Sequence, residues 1–528
     1  MNSRFLQLLC SAAFVLLMGS CEAPHFDILI RQGAVLDGSG SAANIQDLGI
    51  NGSKIVKIGN LARATADRVI DAQGMVVSPG FIDIHTHLEP ILELSDCESH
   101  IRQGVTTALG GPDGWGNAPL GPFLDTMSQV GTGMNIGYLV GHNVVRANVM
   151  QLENRAPSPS ELDSMKAQIA QAMEDGAFGM STGLKYLPGN FSKIEEVVEL
   201  SKVAAAYGGF YTSHLREEGL GLMGGVQEAI QIARDADIPV VLTHHKVVGK
   251  PMWGSSIKTL ALVDSARKAG LDVRIDQYPY TASHTGIGIL IPTWARAGGN
   301  TAYRKRIQDP ILRDSIKSQI LFNIINDRGG ADLRRVQFAR VSWQPELEGK
   351  TLHDWCLEEG LEPTLDNGAE LVIQAQFRGG ASCIFHAMDQ QDVNRIMQHP
   401  FTAVASDGRL TAMGSGHPHP RNYGTFVRIL DKYVRQDSVL SLPEAIRKMT
   451  SLPANRMGLT DRGLIQVGYQ ADITIFDPLT IKEHATFIEP HQYPTGIQYV
   501  LVNGQFAIDE ANFKGIKAGE TLYGPGKK

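Results

Sequence analysis

Cysteine is scarce, with five in 528 residues, and Cys10 and Cys21 lie close to the N-terminus. The other three, Cys97, Cys356 and Cys383, are odd in number and widely spaced, which argues against a disulfide framework. A basic excess is lacking as well. With 48 Lys and Arg against 55 Asp and Glu, the formal charge of −7 offers no field for nucleic acid. No G-x-S-x-G elbow announces a nucleophilic serine, and no internal repeat points to a solenoid. The length exceeds what one hydrophobic core supports, whereas a barrel of about 250 residues or more with a smaller second domain fits it.

The apolar run from Phe5 to Met18 follows one Arg and precedes small residues before Cys21. That is a secretory signal pattern, too short for a membrane span. The stretch LLMGSC is similar to a bacterial lipobox, which makes Cys21 the lipidated first residue of a mature protein and residues 1–21 the leader. Ordinary signal cleavage nearby and an uncleaved anchor are the alternatives. The expected address is across the inner membrane of a bacterium, periplasmic or membrane-anchored. Membrane contact is expected only through the lipid.

Residues 26–80 read as short strands broken by Gly and Asn-Gly turns, as in DILIRQGAVLDGSG and DLGINGSKIVKIG. The same texture returns in 460–528, where Asn503-Gly504 is a hairpin turn. Together the two ends predict one small β-sandwich, with residues 81–459 inserted between its halves. That middle alternates apolar strands such as GGFYTSH, IPVVLTHH and LDVRIDQYPY with helical segments such as SELDSMKAQIAQAMED. Repeated βα units predict an α/β fold, a parallel (β/α)8 TIM-like barrel. The segment 293–352 is polar and helical and reads as an excursion near the barrel mouth.

Phe81–Pro90, FIDIHTHLEP, places His85 and His87 one residue apart at the end of an apolar strand. In a strand, residues i and i+2 face one side, so both imidazoles project together and suit a divalent transition metal. An isolated H-x-H is more often an ordinary pair of histidines. Here it has company at other strand ends: Lys185 after GMSTGL, His214 after GGFYTS, His244 after IPVVLT and Asp407 after FTAVAS. Polar residues at C-terminal strand ends of a βα barrel share the face on which active sites are built. Neighbouring His245 alternates to the other face and reads as structural, as does Cys97. His142 and His284 rank below the metal set.

The motifs VVSPGFIDIHTH, GAFGMSTGLKYLPG, YTSHLREEG, LTHHKVVGK, DQYPYTAS, SDG and HPRNYGTF, in this order, resemble the amidohydrolase superfamily. Within it they are similar to the N-acyl-D-amino-acid deacylase and D-dipeptidase branch. The resemblance implies a metal-dependent barrel with a sandwich built from both ends. It also implies two divalent ions, most simply Zn²⁺, held by His85, His87, His214, His244 and Asp407, with a carboxylated Lys185 as the bridge. One departure stands out: the family's cysteine ligand after the second strand is absent, and GGPDGWG puts Asp113 near its place. Asp113 as a replacement ligand is the alternative to the lysine bridge.

The chemistry so implied is attack of metal-activated hydroxide on an amide carbonyl, with Asp407 as general base and then acid toward the departing amine. The expected partner is a small molecule, an N-acyl-D-amino acid or a dipeptide with a C-terminal D-residue. Lys246, Tyr278 and Arg409 are the candidates for its carboxylate, with Arg421 a further one. A cyclic amidase of the dihydroorotase or hydantoinase kind shares the ligand set and is the first alternative. A non-catalytic lipoprotein that binds metal or peptide is the second.

Overall fold

The computed structural model describes residues 23–528 apart from Gly329, so the leader and lipobox lie outside the described residues. The N-terminal strands are β1 (His25–Val35), β2 (Asn44–Asn51), β3 (Lys54–Gly59), β4 (Thr65–Asp71) and β5 (Val76–Pro79). The chain then enters the barrel with β6 (Phe81–Asp83), β7 (Val105–Gly110), β8 (Asn135–Tyr138) and its short continuation β9 (Val140–Gly141). β10 (Gly179–Gly183), β11 (Phe210–His214), β12 (Val240–Leu242) and β13 (Val273–Gln277) follow. After β14 (Ser283–Gly286), β15 (Val336–Arg340) and β16 (Ser382–Phe385), the barrel resumes with β17 (Thr402–Val404). β18 (Ile473–Phe476), β19 (Ile497–Val502), β20 (Gln505–Asp509) and β21 (Asn512–Phe513) end the chain.

Both chain ends build one nine-stranded sheet, joined where β18 pairs antiparallel with β5. It encloses a core drawn from both halves, including Ile30, Leu48, Ile50, Val77, Ile473, Ile475 and Leu501. The apolar run here is divided at Pro79-Gly80: β5 belongs to this sheet and β6 opens the barrel. Glycine is required at the division, since a Cβ on Gly80 would stand 2.2 Å from Thr106 Oγ1 on the adjacent strand.

The barrel strands pair in parallel, β6 with β7, β7 with β8, β9 with β10, and onward through β11, β12 and β13 to β17. Closure is made at the functional end, where the Asp407 N–H donates to the His85 carbonyl at 2.9 Å and the His87 N–H to the Gly408 carbonyl at 2.7 Å. Ile82, Leu109, Leu139, Phe178, Phe210, Val241 and Ala403, in or beside the barrel strands, share one cluster with Leu452 and Met457. Side chains therefore fill the barrel and leave its C-terminal mouth for polar groups.

The excursion is larger than the sequence suggests. Because β13 pairs directly with β17, the chain leaves the barrel after Tyr278 and returns with the helix Gln390–Gln398, whose Val393, Ile396 and Met397 join the main core. The excursion carries its own three-stranded antiparallel sheet, β14-β16-β15, and its own core around Trp355, Phe338, Phe385 and Ile320. Periodicity marks its helices but says little about a second core. Cys97, Cys356 and Cys383 are buried and unpaired. Among the described residues, no helix is long and apolar enough to cross a membrane.

Candidate metal centre and substrate cavity

His85 and His87 follow β6, Asp113 sits in the turn after β7, His244 follows β12 and Asp407 follows β17. His214 ends β11, in register with Gly183 of β10. Asp113, His244 and Asp407 have φ of 57°, 35° and 47°. Such left-handed backbone costs a residue with a Cβ roughly 1–3 kcal/mol and concentrates where function demands it.

These residues form two ligand groups that share one member. His85, His87, Asp113 and Asp407 make the first, and Asp113, His214 and His244 the second, with the ligating atoms of each within 4.8 Å of one another. One Asp113 oxygen lies 3.6 Å from His85 Nε2 and 3.3 Å from His244 Nε2. The other lies 3.5 Å from His214 Nδ1 and 3.7 Å from His87 Nε2. Asp407 Oδ1 is 3.3 Å from His87 Nε2 and 3.6 Å from His85 Nε2. Ligands about 2.1 Å from a tetrahedral ion stand roughly 3.4 Å from each other, so this spacing suits an ion in the first group. In the second, His214 Nδ1 and His244 Nε2 hydrogen-bond at 2.7 Å and would part to admit one.

Unmet polar atoms point the same way. His85 Nε2 and Asp113 Oδ1 are buried without a hydrogen-bond partner, which is costly unless a cation meets them. Burial pushes the Asp113 carboxyl up, but His244, His85 and His214 hold it well below the usual range. Burial also opposes charge on His87, yet Glu89 and Asp407 raise it to about 10. The pocket thus favours positive charge, which a divalent ion supplies while displacing those protons. Carboxylates face the outer nitrogens: Glu89 hydrogen-bonds His87 Nδ1 at 3.2 Å, and Asp276 stands 3.7 Å from His85 Nδ1, outside hydrogen-bond reach.

A profile described as Amidohydrolase family matches residues 68–290 and 335–508. The chain belongs to that family. It is 34% identical to the D-aminoacylase of Alcaligenes xylosoxydans xylosoxydans, over 96% of this chain and 99% of that protein. It is 36% identical to the N-acyl-D-glutamate deacylase of the same organism, over 92% of this chain and 94% of the relative. Among solved structures, the N-acyl-D-glutamate deacylase of Bordetella bronchiseptica, complexed with zinc and a phosphonate inhibitor, superposes with a TM-score of 0.81. That pair shares 31% identity, over 94% of this chain and all of the other.

Within this amidohydrolase barrel Lys185 is not brought to the ligands. β10 ends at Gly183 and turns, the Tyr186 N–H donating to the Gly183 carbonyl at 3.0 Å. Lys185 Nζ leaves the ligand cavity and donates to Glu217 Oε2 at 2.7 Å, with Asp327 Oδ2 at 3.8 Å. A side chain committed to two carboxylates outside the ligand cavity is not placed to bridge two ions. The expectation of a carboxylated Lys185 as bridge runs against this placement. Asp113, held back in the sequence reading, occupies the shared position, and Tyr186 packs on His214 with ring centroids 4.5 Å apart.

The ligands open on a cavity of about 320 Å³ lined by Lys246, Tyr278, Arg409 and Arg421. Lys246 and Tyr278 are buried, and Tyr278 Oη has no hydrogen-bond partner. Arg409 stays at the rim, its side chain 53% exposed and paired with Glu89 at 3.2 Å. Arg421 is the buried one: it donates to Asp407 Oδ2 at 2.7 Å and faces the Tyr278 ring. Arg421, the further candidate, therefore sits deeper in the cavity than Arg409. The sequence reading assigned no role to Glu89, Asp276 or Glu218. Asp276 and Glu218 lie inside the quoted motifs DQYPYTAS and YTSHLREEG, and Glu89 follows His87 by two residues.

Proposed function

We propose that the protein hydrolyses the linear amide of N-acyl-D-amino acids, or of dipeptides with a C-terminal D-residue. The observation that carries this reading is the junction of two ligand groups through Asp113, beside a cavity holding Lys246, Tyr278 and Arg421. His85, His87 and Asp407 would hold one divalent ion, His214 and His244 the other, and Asp113 both, with zinc the simplest choice for this nitrogen and oxygen set. A metal bound there polarises an amide carbonyl and lowers the pKa of water.

The protein's own groups supply the rest. Burial raises the Asp407 carboxyl, but Arg421 and the histidines hold it well below its usual range, so it stands ready as a proton acceptor. Asp407 Oδ1, turned toward the histidines, takes the proton of the attacking water and returns it to the amine, which cannot leave as an anion. Tyr278 Oη, unpartnered between Lys246 and Arg421, offers a hydrogen bond to the α-carboxylate, and the two cations offer charge. The D-configuration is taken from the activities named for the relatives. For location we propose the bacterial envelope, with a lipid on Cys21, which rests on the lipobox-like LLMGSC.

The test is a panel of N-acetyl-D-amino acids, their L-counterparts, L-Xaa-D-Xaa dipeptides and hydantoins, given to the purified protein with zinc. Release of free D-amino acid supports the proposal. A hydantoin carries no carboxylate for Lys246, Tyr278 and Arg421, so turnover of hydantoins alone would move the assignment to a cyclic amidase. Silence on every compound, with zinc bound, would leave a non-catalytic binder.

A further inference from the structure

Glu218 follows His214 by four residues and is buried beneath both histidines of the second ligand group. Its Oε2 stands 3.7 Å from His214 Nε2 and its Oε1 3.4 Å from His244 Nδ1. The same Oε1 accepts from Lys246 Nζ at 2.5 Å. The backbone joins the two loops at this point, the Val248 N–H donating to the Glu218 carbonyl at 2.9 Å.

The two histidines present different nitrogens to Asp113, His214 its Nδ1 and His244 its Nε2. A ligating nitrogen must offer a lone pair, so the hydrogen belongs on Nε2 of His214 and on Nδ1 of His244. The rings thus need opposite tautomers. Both hydrogens then point toward the one carboxylate of Glu218, 3.7 and 3.4 Å away. Without an ion His214 Nε2 has no hydrogen-bond partner, and a small approach on ion binding joins both rings to a group that accepts and cannot donate. Without an ion, too, His244 Nε2 and His214 Nδ1 share a hydrogen at 2.7 Å and Lys246 Nζ donates to His244 Nδ1 at 2.6 Å. An ion on Nε2 moves the His244 hydrogen to Nδ1, and an ammonium cannot donate to a nitrogen that carries hydrogen. Its bond is then the one to Glu218.

We propose that Glu218 is the positioning residue of this centre. One buried carboxylate sets the opposite tautomers of His214 and His244, and it anchors Lys246 beside the cavity. Ion retention and carboxylate recognition therefore pass through a single side chain. The inference rests on the metal-site reading given above. Glutamine cannot replace it: its amide oxygen serves one imidazole, while its NH₂ meets the hydrogen of the other.

Zinc affinity of the purified protein, read by competition with a chromophoric chelator, tests this without any substrate. For Glu218→Gln the zinc dissociation constant is expected to rise about 10- to 100-fold, while the circular dichroism of the metal-free protein stays unchanged and its Tm falls because buried Lys246 loses its partner. Glu218→Asp, too short to reach both rings, should fall between, and it serves as the test where the glutamine variant fails to fold. Lys246→Met should keep wild-type zinc affinity and raise KM. Glu218→Gln saturated with zinc should still show a raised KM. Wild-type zinc affinity in Glu218→Gln, or in the aspartate variant if only that one folds, would overturn the proposal. Inactivity of the native protein toward N-acyl-D-amino acids would instead overturn the proposed function and leave this measurement standing.

Discussion

One oxygen of the Asp113 carboxylate stands 3.3 Å from His244 Nε2 and 3.6 Å from His85 Nε2, so a single side chain belongs to both ligand groups. Lys185, by contrast, is committed to Glu217 at 2.7 Å. Asp113→Asn should therefore lower zinc stoichiometry and reduce kcat/KM by about 100-fold or more. Lys185→Ala should leave zinc content unchanged, and added bicarbonate should have no effect on either protein. Metal analysis after gel filtration checks both. Loss of zinc in Lys185→Ala, together with a wild-type zinc content that rises with bicarbonate, would return the bridge to the lysine.

The histidines were legible because their spacing reports geometry directly. A two-residue step on a strand puts His85 and His87 on one face, and His214, His244 and Asp407 each close an apolar run. Asp113 was not legible in this way. It sits in the turn after β7 with φ of 57°, so no strand period points to it. Lys185 misled for the complementary reason: it follows a strand, but the turn at Gly183 sends its side chain out of the ligand cavity. Glu218 and Asp276 act on the outer nitrogens of the histidines, and such contacts depend on loop packing that a linear pattern does not carry. The insert between Tyr278 and Asp389 is hidden for another reason, since a second hydrophobic core has the same composition as the first.

Arg421 donates to Asp407 Oδ2 at 2.7 Å and is among the groups that hold that carboxyl low. Burial pushes the other way, so removing the guanidinium lets the Asp407 pKa rise. A base must be deprotonated to work. In Arg421→Met the acid limb of the kcat/KM profile should move to higher pH, and KM for carboxylate substrates should increase. A profile recorded with zinc saturating in both proteins checks this, and an unmoved limb would separate Arg421 from the base.

His245 is buried, hydrogen-bonded to Thr259 at 2.9 Å, and burial is the largest cause lowering its pKa from 6.5 to about 3. Below the unfolded value the unfolded chain takes up a proton that the folded chain refuses. Stability from this residue is thus full above 6.5 and is lost as pH falls toward about 3. At about pH 5 the loss amounts to about 2 kcal/mol. His245→Gln cannot titrate, so urea midpoints measured from neutral pH downward should fall less steeply than in the wild type. Equal slopes would show that His245 is not the buried neutral group described.

Gly183 ends β10 against the turn that carries Asp113. A Cβ there would stand 2.2 Å from the Asp113 carbonyl oxygen, a backbone atom that cannot swing aside as a side chain would. The turn is braced from the same side, since Ser181 Oγ donates to the Gly111 carbonyl at 2.6 Å and accepts from the Gly114 N–H at 3.0 Å. Gly183→Ala must therefore push the Asp113 turn away from β10. Overpacking of this kind costs roughly 1–3 kcal/mol, and here it also displaces the shared carboxylate from four imidazoles. The variant should remain folded with a lowered Tm and bind zinc more weakly than the wild type. A calorimetric zinc titration gives the answer, because unchanged zinc affinity beside a lowered Tm would mean that Asp113 is not the residue on which both ions depend.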